Sequence, residues 1–90
     1  MLIALMAKDK AGALQTRKDN RDAHLAYIKD TGVVAQAGPL LDSAGEMCGS
    51  LVILDVEDMG TAESWAANDP YAKAGLFASV ELVRWNKVIG

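Results

Sequence analysis

The sequence predicts an α+β fold: a four-stranded antiparallel sheet with both helices on one face. Three observations carry that expectation. Four short apolar runs of strand type cover residues 2–7, 33–37, 50–56 and 79–88. Two stretches of helical spacing, 15–31 and 59–67, separate the first run from the second and the third from the fourth. Glycine and proline fall at the junctions, where they end regular elements. The order strand, helix, strand, strand, helix, strand is the split βαβ pattern of a ferredoxin-like fold.

Each element has its own justification. Residues 2–7 are apolar without alternation, as in a strand covered on both faces. Lys8 to Ala13 reads as a loop into the first helix, with Thr16 as its expected N-cap and Gly32 as its C-terminal glycine. The second strand, 33–37, is expected to end at Gly38-Pro39 or to lie at a sheet edge, because proline cannot donate a ladder hydrogen bond. Leu40 to Gly49 holds the turn residues of a hairpin, and Ser50 opens a third strand with four consecutive aliphatic residues. Asp58 is the expected N-cap of the second helix, whose Ala62 and Trp65 point to the core. Asp69 precedes Pro70 and so suits the cap of a further short helix, 70–75. The run 79–88 closes the sheet.

Ninety residues make one domain, 1–90, with no linker or repeat. Apolar residues at 51% and charged residues at 23% argue against disorder. A formal charge of −3 gives nucleic acid little attraction, and the opening apolar run is too short for a membrane span or signal peptide. Cys48 stands alone, so no internal disulfide forms and a reduced, cytoplasmic setting is expected. Helices on one side leave the other sheet face half polar in a typical case. Here three strands are nearly apolar on both faces, and a homodimer packed sheet against sheet is the simplest cover.

The first helix carries the only histidine. At about 3.6 residues per turn, Arg17, Arg21, His24, Ile28 and Thr31 lie along one side, so His24 sits between a cationic and an apolar stretch. An imidazole exchanges protons near neutrality, which makes this helix the first place to look for chemistry. Arg17 and Arg21 can hold a substrate carboxylate in a planar fork, though most helix-surface arginines are merely solvated. Ser50 can bond a ligand or a backbone group, and no nucleophile elbow surrounds it. Gly38 and Pro39 suit either a pocket rim or a plain turn. Tyr71 offers a ring and a hydroxyl to a pocket, or a ring to the core. One histidine with scattered carboxylates has no metal-ligand spacing, so neither metal nor tightly bound cofactor is expected.

Arg21-Asp22-Ala23-His24-Leu25, Ala37-Gly38-Pro39, Gly49-Ser50 and Trp65-Ala66-Ala67-Asn68-Asp69-Pro70-Tyr71 stand in that order along the chain. Together they resemble the YCII-related domain family over nearly the whole length. The resemblance implies the dimeric α/β barrel superfamily, which includes muconolactone isomerase-like enzymes and small cofactor-independent oxygenases. It also implies an active site of one histidine and one aspartate, which fall here on His24 and Asp69. Few relatives have an assigned reaction; those act on small cyclic compounds, one by dehydrochlorinating a chlorinated hydroquinone. The short loop at 40–48 departs from the family pattern and bears on access to the pocket.

Two functions follow. In one, His24 is a general acid/base oriented by Asp69, acting on a small cyclic or aromatic acid in lyase, isomerase or dehydrochlorinase chemistry. In the other, the same pocket belongs to a ligand-binding or accessory module that turns nothing over, with His24 a half-buried helix residue and Asp69 only a cap. Haem binding through His24, by analogy with related barrels, ranks behind both.

Overall fold

The computed structural model describes residues 1–90. Its elements are β1 (Leu2–Asp9), α1 (Leu14–Thr31), β2 (Val34–Leu41), β3 (Met47–Asp55), α2 (Met59–Asn68), α3 (Pro70–Lys73) and β4 (Phe77–Trp85). The strands form one sheet in the order β2-β3-β1-β4, and every neighbouring pair is antiparallel. This is the predicted ferredoxin-like α+β arrangement. No helix is long and apolar enough to cross a membrane.

Period-two alternation decides which side chains meet the helices. In β1, Ile3, Leu5 and Ala7 are buried; in β3, Val52 and Leu54 are. They form the core with Ala62 and Trp65 of α2. The register pairs Leu5 with Val52 and Ala7 with Ser50, so Ser50 faces the helices from the same layer. The opposite face carries Met6, Leu51, Val83 and Trp85, all more than a third exposed in the single chain.

Helix α1 packs differently. Its buried residues are Arg17 and His24, not aliphatic ones. A helix that turns a guanidinium and an imidazole inward needs partners for both, because a buried polar group without one is costly. The site is built from those partners.

Several boundaries differ from expectation. Ala13, not Thr16, precedes the first helical residue, and no side chain caps α1. The helix therefore starts one turn earlier than a side-chain cap would signal. Gly32 ends it in the left-handed conformation, φ 66°, with its N–H donated to the Ile28 carbonyl. β2 runs through Gly38 and Pro39 to Leu41, which Pro39 permits because β2 is an edge strand. β4 is Phe77–Trp85; its pairing with β1 runs from Asp9 to Leu2 and ends at Trp85, so residues 86–88 have no strand to pair with. Asp58 caps α2 by accepting from the Thr61 N–H at 2.7 Å, and Asp69 caps α3 by accepting from the Tyr71 N–H at 3.0 Å.

Candidate active site

The pocket lies where α1 crosses the β2–β3 edge of the sheet. It is lined by Arg17, Arg21, His24, Leu25 and Ile28 of α1, by Ala37, Gly38 and Pro39 of β2, by Met47, Ser50 and Val52 of β3, and by Tyr71 of α3. Seven of the eight residues singled out in the sequence line it. The eighth, Asp69, sits behind His24.

His24 Nδ1 lies 2.7 Å from Asp69 Oδ1, across 45 positions of sequence. Asp69 is 1% exposed and His24 5%, so the contact is shielded from water. A carboxylate only accepts, so Nδ1 carries the proton of this bond and Nε2 is left as the acceptor of the neutral ring. Every fully buried side-chain nitrogen and oxygen has a partner within the protein. Nε2 has none, so it must reach the pocket. The fixed tautomer thus places a proton acceptor at the cavity wall.

Local sequence explains how Asp69 arrives there. Pro70 has no N–H and fits the first position of α3, while Asp69 takes an extended conformation, φ −62° and ψ 129°. The break between α2 and α3 turns the Asp69 side chain back across α1. Its Oδ1 accepts from both the Tyr71 N–H and His24, so the cap and the imidazole contact are one oxygen's work.

Arg17 is held rather than free. Its Nε and Nη2 donate to the two oxygens of Asp9, at 2.7 and 2.9 Å, and Nη2 also donates to Ser50 Oγ at 2.8 Å. Burial alone would pull the guanidinium down, but the bonds and charge of Asp9 outweigh it and hold Arg17 above its ordinary value. The arginine therefore stays charged on the pocket wall. Ser50 accepts from Arg17 and keeps its own hydroxyl proton available. Asp9 was missed in the sequence, where it was read as loop. Extending the period-two series Ile3, Leu5, Ala7 by one step places it inward.

Tyr71 stacks on His24, with centroids 3.9 Å apart and planes 14° off parallel. The Arg17 guanidinium carbon stands 4.7 Å from the same ring. Burial raises the Tyr71 hydroxyl above its ordinary range against the opposing pull of Arg17 and Arg21, so it stays a donor. Phe77 meets Tyr71 edge to face at 6.1 Å. No three His, Cys, Asp or Glu side chains converge as a metal site would need.

A ferredoxin-like sheet with a carboxylate–imidazole pair at a small pocket defines the class of protein. Residues 1–86 match the model of the YCII-related domain, and the chain belongs to that family. It is 38% identical to Protein YciI of Escherichia coli O6:H1, over an alignment covering 98% of this chain and 99% of that one. An uncharacterized protein of Haemophilus influenzae is 33% identical with the same coverage. Among solved structures, the 5-chloro-2-hydroxyhydroquinone dehydrochlorinase TftG of Burkholderia phenoliruptrix AC1100, in complex with 2,5-dihydroxybenzoquinone, superposes with a TM-score of 0.88. It is 38% identical, over 96% of this chain and 94% of that one. An antibiotic biosynthesis monooxygenase has the same fold, with a TM-score of 0.62 at 10% identity over 99% and 100% of the two chains.

Proposed function

We propose that this protein is a YciI-like enzyme of the dehydrochlorinase type, in which His24 is the general acid/base and Asp69 orients it. The observation that carries the reading is the buried 2.7 Å contact at Nδ1 with Nε2 left facing the pocket. A base needs a fixed tautomer, a free lone pair and a place for the reacting atom, and these three are present together.

The cavity measures about 160 Å³. A cavity of roughly 150 Å³ accommodates benzene, so one six-membered ring with a few small substituents is the size that fits. Several polar groups line it, among them Arg17, His24, Ser50 and Tyr71, and they suit a ring carrying at least two hydroxyl or oxo groups. Gly38 and Pro39 form the β2 rim, and Arg21 adds a positive charge at the mouth. The similar structure of TftG, a 5-chloro-2-hydroxyhydroquinone dehydrochlorinase in complex with 2,5-dihydroxybenzoquinone, supports the same class.

On such a ring, Nε2 takes a hydroxyl proton and Asp69 stabilises the resulting imidazolium through Nδ1–H. Charge then develops on the ring oxygen, where the Arg17 guanidinium and the Ser50 hydroxyl can stabilise it. For a chlorinated hydroquinone the balance is one proton moved from oxygen to the chlorine-bearing carbon and a second proton lost. Chloride leaves with the bonding pair, so HCl is eliminated and a quinone remains. His24 suffices as the proton carrier for both transfers.

The protein works in this reading as a homodimer, with Met6, Leu51, Val83 and Trp85 of each sheet covered by those of the second copy. The accessory-module alternative keeps the pocket and drops the turnover.

A thermal-shift screen with hydroxylated benzenes, benzoquinones, cyclic carboxylates and lactones tests the reading. A ligand that binds the native state raises the melting temperature by mass action. The expected result is a hydroxyquinol or hydroxyquinone whose shift is lost in both His24→Ala and Asp69→Asn, each still folded. A shift that survives in both variants would move the site elsewhere.

A further inference from the structure

We infer that Tyr27 is a positioning residue of the His24–Asp69 pair: its hydroxyl takes the place of a missing helical N–H at the α2–α3 break and so sets where Asp69 meets His24. The inference rests on the acid/base reading of that pair.

In an unbroken helix, the Ala66 carbonyl would accept from residue 70 and the Trp65 carbonyl from residue 69. Residue 70 is a proline and has nothing to donate. The Asp69 N–H goes to Ala66 instead, at 3.4 Å, and the Trp65 carbonyl loses its normal partner. Tyr27 Oη donates to that carbonyl at 2.8 Å. Tyr27 is three residues after His24 on α1, one turn along the same helix. One helix therefore holds the break at two points: Tyr27 at Trp65, the last full turn of α2, and His24 at Asp69, where the chain turns away.

The ring of Tyr27 lies 4.9 Å from that of Trp65, which sets the hydroxyl's line of approach. Burial, with a contribution from the Asp69 charge, holds the Tyr27 hydroxyl above its ordinary range. It thus stays protonated, as its donor role requires. Trp65 Nε1 makes a separate bond to Thr31 Oγ1 at 2.9 Å, one turn further from the pair. That bond ties the same two helices together without touching the break.

The comparison of Tyr27→Phe with Thr31→Val tests this directly. Tyr27 is half-buried and phenylalanine keeps the ring contact, so the variant retains its fold, which circular dichroism melting checks. The primary readout is the nitrogen-detected NMR signal of the His24 ring, with the Nδ1–H proton shift, in the substrate-free protein. Tyr27→Phe is expected to weaken or shift the Nδ1–H signal, whereas Thr31→Val leaves it in place at a similar loss of melting temperature. In turnover, Tyr27→Phe is expected to lower kcat by roughly 10- to 100-fold, the range a small misplacement of a catalytic group produces, with KM within about twofold. An unchanged ring signal in Tyr27→Phe, or an equal change in Thr31→Val, overturns the proposal. Because the NMR comparison needs no substrate, it stands even if His24→Ala leaves turnover untouched and the acid/base reading falls.

Discussion

Arg17 keeps its charge beside the pocket because Asp9 is buried with it, each side chain at most 5% exposed. The two are a unit, and their energetics follow from that. Removing one partner of a buried pair leaves the other charge without compensation, which costs about 3–5 kcal/mol. Arg17→Ala is therefore expected to destabilise the fold by about that amount in urea melts. The double variant Arg17→Met/Asp9→Leu is expected to be closer to wild type than Arg17→Ala, because no orphaned carboxylate remains. If the single variant melted like wild type, Arg17 would be a solvated helix-surface arginine and its place on the pocket wall would be lost. Arg17 was named from the sequence as a carboxylate holder, from spacing alone. Its commitment to Asp9 and Ser50 depends on a strand reaching two residues past its last aliphatic position, and periodicity fades there.

At the scale of elements, β3 brings Ser50 to Arg17, and Gly49 sets how closely β3 approaches β1. A Cβ on Gly49 would run into the Ala7 carbonyl oxygen, a backbone atom that cannot swing aside, and would press on Leu40 at 3.1 Å. Gly49→Ala is expected to cost about 1–3 kcal/mol, as overpacking does, and to weaken ligand binding by displacing Ser50. A variant as stable as wild type, with unaltered binding, would mean that the sheet opens there at no cost. The element order was legible because four apolar runs and two helical stretches are separated by clear breakers. Gly32, Asp58 and Asp69 act where cap chemistry placed them. Thr16 did not, since the helix begins at Leu14 without a side-chain cap. β2 outran its expected end because an edge strand tolerates proline. The His24–Asp69 contact was not legible from spacing, for 45 residues intervene; the family resemblance pointed to it. The Tyr27–Trp65 bond had no sequence signal, since its acceptor is a backbone carbonyl freed by a proline five residues on.

At the scale of the whole molecule, the two faces of the sheet have different fates. One is covered by α1 and α2 and holds the pocket. The other leaves Val83 at 45% and Trp85 at 41% exposure beside Met6 and Leu51. Glu81 pairs with Met6 on this face, and exposed apolar side chains gathered on one sheet face suit the homodimer proposed above. Sedimentation of the wild-type protein is expected to give a dimer, and Val83→Glu a monomer or a strongly concentration-dependent mixture. A wild-type monomer at all accessible concentrations would leave that face without its expected cover. The chain belongs to the YCII-related family and is similar to TftG, a dehydrochlorinase whose structure is a complex with 2,5-dihydroxybenzoquinone. Fold alone assigns no chemistry, so the central claim rests on His24.

The most direct test is the rate of chloride release from 5-chloro-2-hydroxyhydroquinone by wild type and His24→Ala, with melting temperatures measured alongside. Wild type is expected to turn over, and a folded His24→Ala protein to lose roughly 100-fold or more in rate, the scale of a general base. Equal rates in the two proteins, both folded, would contradict that role for His24.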